Sequence, residues 1–129
     1  MTLLEITGKA EVHTIKVPLT AKVLVVEDRV RRIDWFRSRI PHAHFADLSH
    51  TANAILLDVK PDVVFLDFDL HGFTSLETAK ILAATKFAGT IYVHSLNNLG
   101  GDILCRILQG LSVERHEFGS FEIRIENKP

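Results

Sequence analysis

The sequence predicts an α/β domain, a three-layer sandwich with helices on both faces of a central parallel sheet. Three observations predict it. From Lys22 onward, short β-branched runs alternate with segments of helical period, the signature of βαβ units. The runs are apolar on both faces, as strands buried between helix layers are. The 129 residues, 47% hydrophobic and 24% charged, suffice to bury one core and leave little for a second. Residues 20 to 129 are therefore read as one folded unit, preceded by a β-hairpin extension over residues 1 to 19.

The first parallel strand is KVLVV, ending at Glu27 and Asp28. Asp28 can cap the helix that follows, where Val30, Ile33, Phe36 and Ile40 recur at helical spacing before Pro41. HAHFADL is a weak second strand. Ser49 then caps a helix with the apolar stripe Ala52, Ile55, Leu56 and Val59. VVFLD is the central strand, and His71 and Gly72 turn the chain into a helix carrying Leu76, Ala79, Leu82 and Ala83. TIYVHS is the fourth strand, GGDILCRILQG a short helix, and VERHEF a fifth strand. Both ends depart from this alternation. Residues 1 to 19 alternate as a hairpin, FEIRI alternates again, and no room remains for a last helix. These ends are expected as extra strands at a sheet edge, or as a flap over the face that a last helix would cover.

Composition narrows the function. Fifteen Lys and Arg against sixteen Asp and Glu leave a net charge of −1, with no global field toward nucleic acid or a membrane. The single cysteine, Cys105, excludes a disulfide framework and multi-cysteine zinc patterns. The N-terminal residues lack the basic start and apolar run of a leader, and no apolar stretch reaches about 18 residues, so a cytoplasmic protein is expected.

Ligands of open parallel sheets bind beyond the carboxyl ends of the strands. Glu27 and Asp28 follow the first strand, Asp67 and Asp69 the third, and His94, Ser95 and Asn97 the fourth. Carboxylates crowded at one edge are relieved by protonation or by a divalent cation, and oxygen donors suit Mg2+ or Mn2+. A cation so held binds a phosphate oxygen as well, so a phosphate-containing small molecule is the implied ligand. Ser95, Asn97 and Gly100 precede or open a helix, where free amides favour an anion. The bland alternatives are an N-cap for Asp28, a turn for Asp69 and a hydrogen-bonded core histidine for His94. A carboxylate after four apolar strand residues, Asp67, is costly without a partner and is the strongest functional candidate. On the first helix, Arg31, Arg32 and Arg39 lie three or four positions from Trp35. They form either a patch for stacking a base or docking an acidic protein, or a solvated face with Trp35 tucked under the N-terminal hairpin.

KVLVVEDR, PDVVFLDFDLHG and YVHSLN together resemble a response-regulator receiver domain of the CheY type, over residues 22 to 118. The resemblance implies a flavodoxin/CheY-like sandwich, a cation held by Glu27, Asp28 and Asp67, a phosphoryl group accepted by Asp67, and Ser95 as the switch residue. The sequence departs from an ordinary receiver in lacking Met-Pro after Asp67, in having Arg115 or His116 near the place of the conserved Lys, and in lacking the last helix. LDFDL (66 to 70) and HSLNNLG (94 to 100) further resemble the predicted cyclic-phosphate-processing receivers, with Phe68 where that subgroup often has His. That resemblance implies a metal-dependent phosphoesterase acting on a cyclic phosphate or cyclic nucleotide: Asp28, Asp67 and Asp69 hold the metal, His94 protonates the leaving oxygen and the Asn97 region orients the phosphate. The alternatives are a phosphoaccepting receiver, a degenerate receiver that only binds protein and, third, a Toprim-like nuclease using Glu27 with the D-x-D at Asp67 and Asp69.

Overall fold

The computed structural model describes residues 12–127. Five parallel strands form the central sheet in the order β3-β2-β4-β7-β8: β2 is Val23–Val26, β3 His44–Ala46, β4 Val63–Leu66, β7 Thr90–Val93 and β8 Ser112–Arg115. The helices are α1 (Val30–Arg39), α2 (Ser49–Val59), α3 (Leu76–Ala84) and α4 (Asn98–Ile107). This is the predicted fold class, and among the described residues no helix follows β8. No described helix is long and apolar enough to cross a membrane.

Every side chain of β2 and β4 is buried, as their apolar sequences require, and strand periodicity sorts them into two cores. Leu24, Val26, Val64, Leu66, Ile91 and Val93 meet Ala52, Ala79, Leu82, Leu104 and Leu108 from α2, α3 and α4. Val23, Val25, Val63 and Phe65 face the other way, against Phe36 of α1 and Ile40 just after it. What completes this second layer is a two-stranded ribbon. β1 (His13–Pro18) pairs in parallel with β9 (Phe121–Glu126), His13 opposite Phe121 and Pro18 opposite Glu126. Ile15, Val17, Phe121 and Ile123 point inward from it. The extra strands thus form the flap over the sheet face, not an added sheet edge. The first arm of the expected hairpin lies outside the described residues; its second arm is β1, and β1's partner is β9.

Local expectations are corrected in several places. The N-cap of α1 is Arg29, without a side-chain cap, because the Asp28 carboxylate instead accepts the His71 amide at 2.8 Å. The N-cap of α2 is Leu48, and Ser49 Oγ donates to the Thr74 carbonyl. Val30 is 71% exposed, so the buried stripe of α1 is narrower than the spacing suggested and centres on Phe36 and Ile40. His71 and Gly72, both at positive φ, close a small hairpin of β5 (Asp69–Leu70) and β6 (Phe73–Thr74) before α3 begins. α4 starts at Asn98, earlier than read, with Asn97 as its N-cap.

Candidate functional site

Register builds the site. Val26 of β2 lies beside Leu66 of β4, and Leu66 beside Val93 of β7. The next residue of each strand is therefore Glu27, Asp67 and His94, level with one another on neighbouring strands spaced about 4.8 Å apart. Backbone bonds extend that register one step: the Asp67 amide donates to the Val26 carbonyl and the His94 amide to the Leu66 carbonyl. Alternation turns all three side chains toward α1, and their donor atoms lie within 4.8 Å of one another.

Each carboxylate is satisfied differently. Glu27 Oε2 accepts the amides of Asp28 and Arg29 at 3.0 and 3.1 Å, and Glu27 Oε1 lies 3.0 Å from His94 Nε2. Burial works to raise the Glu27 pKa, but the hydrogen bond and charge of His94, the Arg29 amide and Arg32 outweigh it and hold the group down to about 2. Asp67 Oδ1 accepts the Phe68 amide at 2.8 Å, leaving Oδ2 toward Arg32. Burial, then the neighbouring Glu27 charge, push Asp67 up to about 6, with His94 pulling the other way. Two carboxylates side by side thus share one histidine, and Glu27 takes most of its benefit.

Arg32 was placed on the outer helix patch by its spacing, yet it turns inward. Its Nη1 lies 3.7 Å from Glu27 Oε1 and 3.8 Å from Asp67 Oδ2, and its side chain is 14% exposed. The neighbours expected of it separate. Arg31 is exposed. Arg39 lies over the Trp35 ring at 4.4 Å and pairs with Glu122 of β9 through Nε at 2.8 Å. Trp35 is half-buried in edge contacts with Phe36, Phe118 and Phe121. Among the described residues it is tucked under Phe118 and Phe121 of the C-terminal segment, and residues 1–11 of the expected hairpin lie outside the described residues.

Above this buried layer opens a cleft of about 100 Å³, lined by Asp28, Arg29, Arg32, Asp67, Asp69, Ser95, Leu96 and Asn97. Glu27 and His94 do not line it. His94 is 1% exposed, held by Glu27 and packed 5.2 Å from the Phe36 ring, and its Nδ1 is buried without a partner among the described residues. Asp28 and Asp69 reach the cleft but lie outside the close group of Glu27, Asp67 and His94. Asn97 Nδ2 donates to Asp69 Oδ2 at 3.2 Å, and Asn97 Oδ1 caps the Gly100 amide at 2.9 Å. Ser95 Oγ accepts the Asn97 amide at 3.1 Å.

Gly100 therefore offers no free amide to an anion. Its place is dictated by packing, since a Cβ there would come within 2.4 Å of the Phe68 ring. Phe68 is buried in the core beneath it and does not enter the cleft. Where the resemblance to receivers implies a Lys, Arg115 is bound to Asp102 and the Asn98 carbonyl, and His116 pairs with Glu114. Neither lines the cleft, where the cations are Arg29 and Arg32. The inward turn of Arg32 is the feature that helical spacing missed. The missed signal was its position four before Phe36, the residue that fixes the inward face of α1.

The N-terminal domain of an uncharacterized protein from Wolinella succinogenes is similar at a TM-score of 0.58 and 20% identity, covering 80% of each chain. The response regulator domain of Thermotoga maritima CheB is similar at a TM-score of 0.50 and 20% identity, covering 87% of this chain and 84% of that one. The chain has a receiver fold. No protein-family model and no curated protein matches the sequence. Seen as a receiver fold, the cleft lies at the carboxyl edge of the sheet, where α/β proteins of this topology bind ligands.

Proposed function

We propose that this protein is a receiver-type module that binds a divalent cation and a phosphoryl group in the cleft and accepts the phosphoryl group on Asp67. The observation that carries this reading is the setting of Asp67: a buried carboxylate at the end of the central strand, Oδ1 fixed by the Phe68 amide, Oδ2 beside the Arg32 guanidinium at the cleft floor. Asp28 and Asp67 are the residues that would hold Mg2+ or Mn2+, with Asp69 at the rim. Excess negative charge supports the fit, since burial and then the Glu27 charge push Asp67 up to about 6, and a cation beside it would favour its ionised form. A bound cation would supply charge neutralisation to the phosphoryl oxygens. Arg32 would pair with a further oxygen of the same group, in the place of the missing Lys.

The step is a displacement at phosphorus. Asp67 Oδ2 attacks, an O–P bond forms, and the bond from phosphorus to the leaving oxygen breaks, giving an acyl phosphate. Asn97 would hold Asp69 in position, and Ser95 would fix the loop that carries Asn97 through its bond to the Asn97 amide.

The cyclic-phosphate phosphoesterase is the second reading, favoured by LDFDL and HSLNNLG supplying Asp67, Asp69, Ser95 and Asn97 to one cleft. Against it, His94 lies behind Glu27 and does not reach the cleft, so it has no path to a leaving oxygen. The cleft also holds a phosphate more readily than a nucleotide, whose sugar and base would remain outside its 100 Å³. The test is incubation with Mg2+ and a small acyl-phosphate donor, followed by intact-mass analysis. One phosphate per chain, labile to base and absent in Asp67→Asn, is the expected result. Turnover of 2′,3′- or 3′,5′-cyclic nucleotides in phosphorus NMR, with no phosphorylated chain, would reverse the order of the two readings.

A further inference from the structure

The geometry points to a second, separate metal site, for a borderline transition metal such as Zn2+, built by His13, Glu114 and His116 where the β1–β9 ribbon meets the edge strand β8. The sequence prepares it through strand periodicity. Glu114 and His116 are two apart along an extended chain and so share one side of it. His13 begins β1, with Ile15 and Val17 following on the ribbon's inward side. Three different backbone contacts fix the three residues. Glu114 lies opposite Tyr92 in the β7–β8 ladder, the His116 amide donates to the Val93 carbonyl at 2.9 Å, and the His13 amide donates to the Ser120 carbonyl at 3.0 Å.

The side chains converge. Glu114 Oε1 lies 3.0 Å from His116 Nε2 and 3.9 Å from His13 Nε2, and the two imidazoles stack at 4.5 Å with planes 11° apart, so one ring, the half-exposed His13, turns about its side-chain torsions to bring a cation into both ring planes. All three residues offer ligand atoms within 4.8 Å of one another. Around a tetrahedral metal with bonds of about 2.0–2.1 Å, ligand atoms stand roughly 3.3 Å apart, and the two measured O···N separations bracket that value. A proton joins only one imidazole to the carboxylate, and at 3.9 Å the second is not hydrogen-bonded. A divalent cation satisfies all three donors at once. Two imidazole nitrogens and one carboxylate oxygen select Zn2+, Co2+, Ni2+ or Cu2+ over Mg2+, whose preference is for oxygen. The half-exposed setting of His13 and Glu114 leaves a position for water. Bound there, the metal clasps the ribbon to β8, joining elements from the two ends of the described chain.

The test titrates Zn2+ by calorimetry into the untagged full chain carrying Asp67→Asn, which takes a carboxylate out of the cleft site. One equivalent of Zn2+ is expected to bind, unaffected by excess Mg2+, and to raise the melting temperature. Adding His13→Ala or His116→Ala should weaken binding beyond the roughly 10- to 100-fold that loss of an outer-shell partner costs. Nitrogen NMR of the unsubstituted chain gives a readout independent of variant folding: the His13 and His116 Nε2 resonances shift together on adding Zn2+. Zn2+ affinity unchanged in both histidine variants, or Zn2+ shifts confined to His94, overturns the site.

Discussion

The two faces of the sheet are filled by different chemistry. On the α2, α3 and α4 side the core is mostly aliphatic, with Leu, Val, Ile and Ala from helices and strands interleaved and only Phe68 and Phe87 as aromatic rings among the described residues. On the α1 side it is aromatic: Phe36, Phe65, Tyr92, Trp35, Phe118 and Phe121 make ring contacts at centroid distances of 5.1 to 6.4 Å. The difference follows from what covers each face. A helix presents a wide apolar stripe, whereas a two-stranded ribbon presents only alternate residues, so larger rings close the gap. Among the described residues the ribbon covers this face with its aromatic bulk and leaves the acidic strand ends open to the cleft.

The sharpest test removes one anchor from each face. Phe121→Ala is expected to cost about 3–5 kcal/mol in urea unfolding and Leu104→Ala about 2–5 kcal/mol. They should differ in kind as well as in size. Phe121→Ala should accelerate hydrogen exchange at Ile15 and Val17 ahead of β2 and β4, because it frees the ribbon, whereas Leu104→Ala should leave that order unchanged. Equal acceleration on both faces would show that ribbon and sheet unfold as one unit.

Next in size is the edge where the faces meet. Asp67 holds its proton more tightly in the folded chain, at about 6, than in the unfolded one, near 3.8. In metal-free buffer its stabilising contribution is present below pH 3.8 and is lost as pH rises through 6, worth at most about 3 kcal/mol. Asp67→Asn should consequently be more stable than the parent at pH 8, with the gain shrinking by pH 4, as followed by thermal melts. Glu27 works in the opposite sense: its contribution is present above 4.5 and lost as pH falls toward 2. A pH-independent effect of Asp67→Asn would mean that Arg32 already neutralises the site.

Smaller effects belong to the ribbon's outer side. Arg39 and Glu122 are partly exposed, and Glu122→Gln should cost no more than about 1 kcal/mol, less in high salt. Trp35, the only tryptophan, should emit to the blue of free indole, and Phe118→Ala should shift that emission red. An unshifted emission would mean that Phe118 does not shield the indole.

Much of this was legible before any coordinates. KVLVV, VVFL and TIYV read as strands of a parallel sheet, and the next residue after each is Glu27, Asp67 and His94. What was not legible depends on contacts far apart in sequence. Alternation in residues 13–18 and 121–126 announces strands, but it suggested a local hairpin within residues 1 to 19, and the parallel pairing of β1 with β9 depends on contacts more than a hundred residues apart. The inward turn of Arg32 depends on how α1 is rotated about its axis, and Phe36, Ile40 and the rings beyond them set that rotation. His94 sits at a strand end as expected; only its distance to Glu27 reveals that it is committed inside the protein instead of facing a ligand.

The pairing of β1 with β9 also sets an order of events during synthesis. β1 emerges before β9 and cannot find its partner until Phe121–Glu126 has left the ribosome. Until then Phe36 and Phe65 lack the strand that covers them in the fold. Closure over so long a loop is slow relative to the local helices, so the ribbon is expected to dock last.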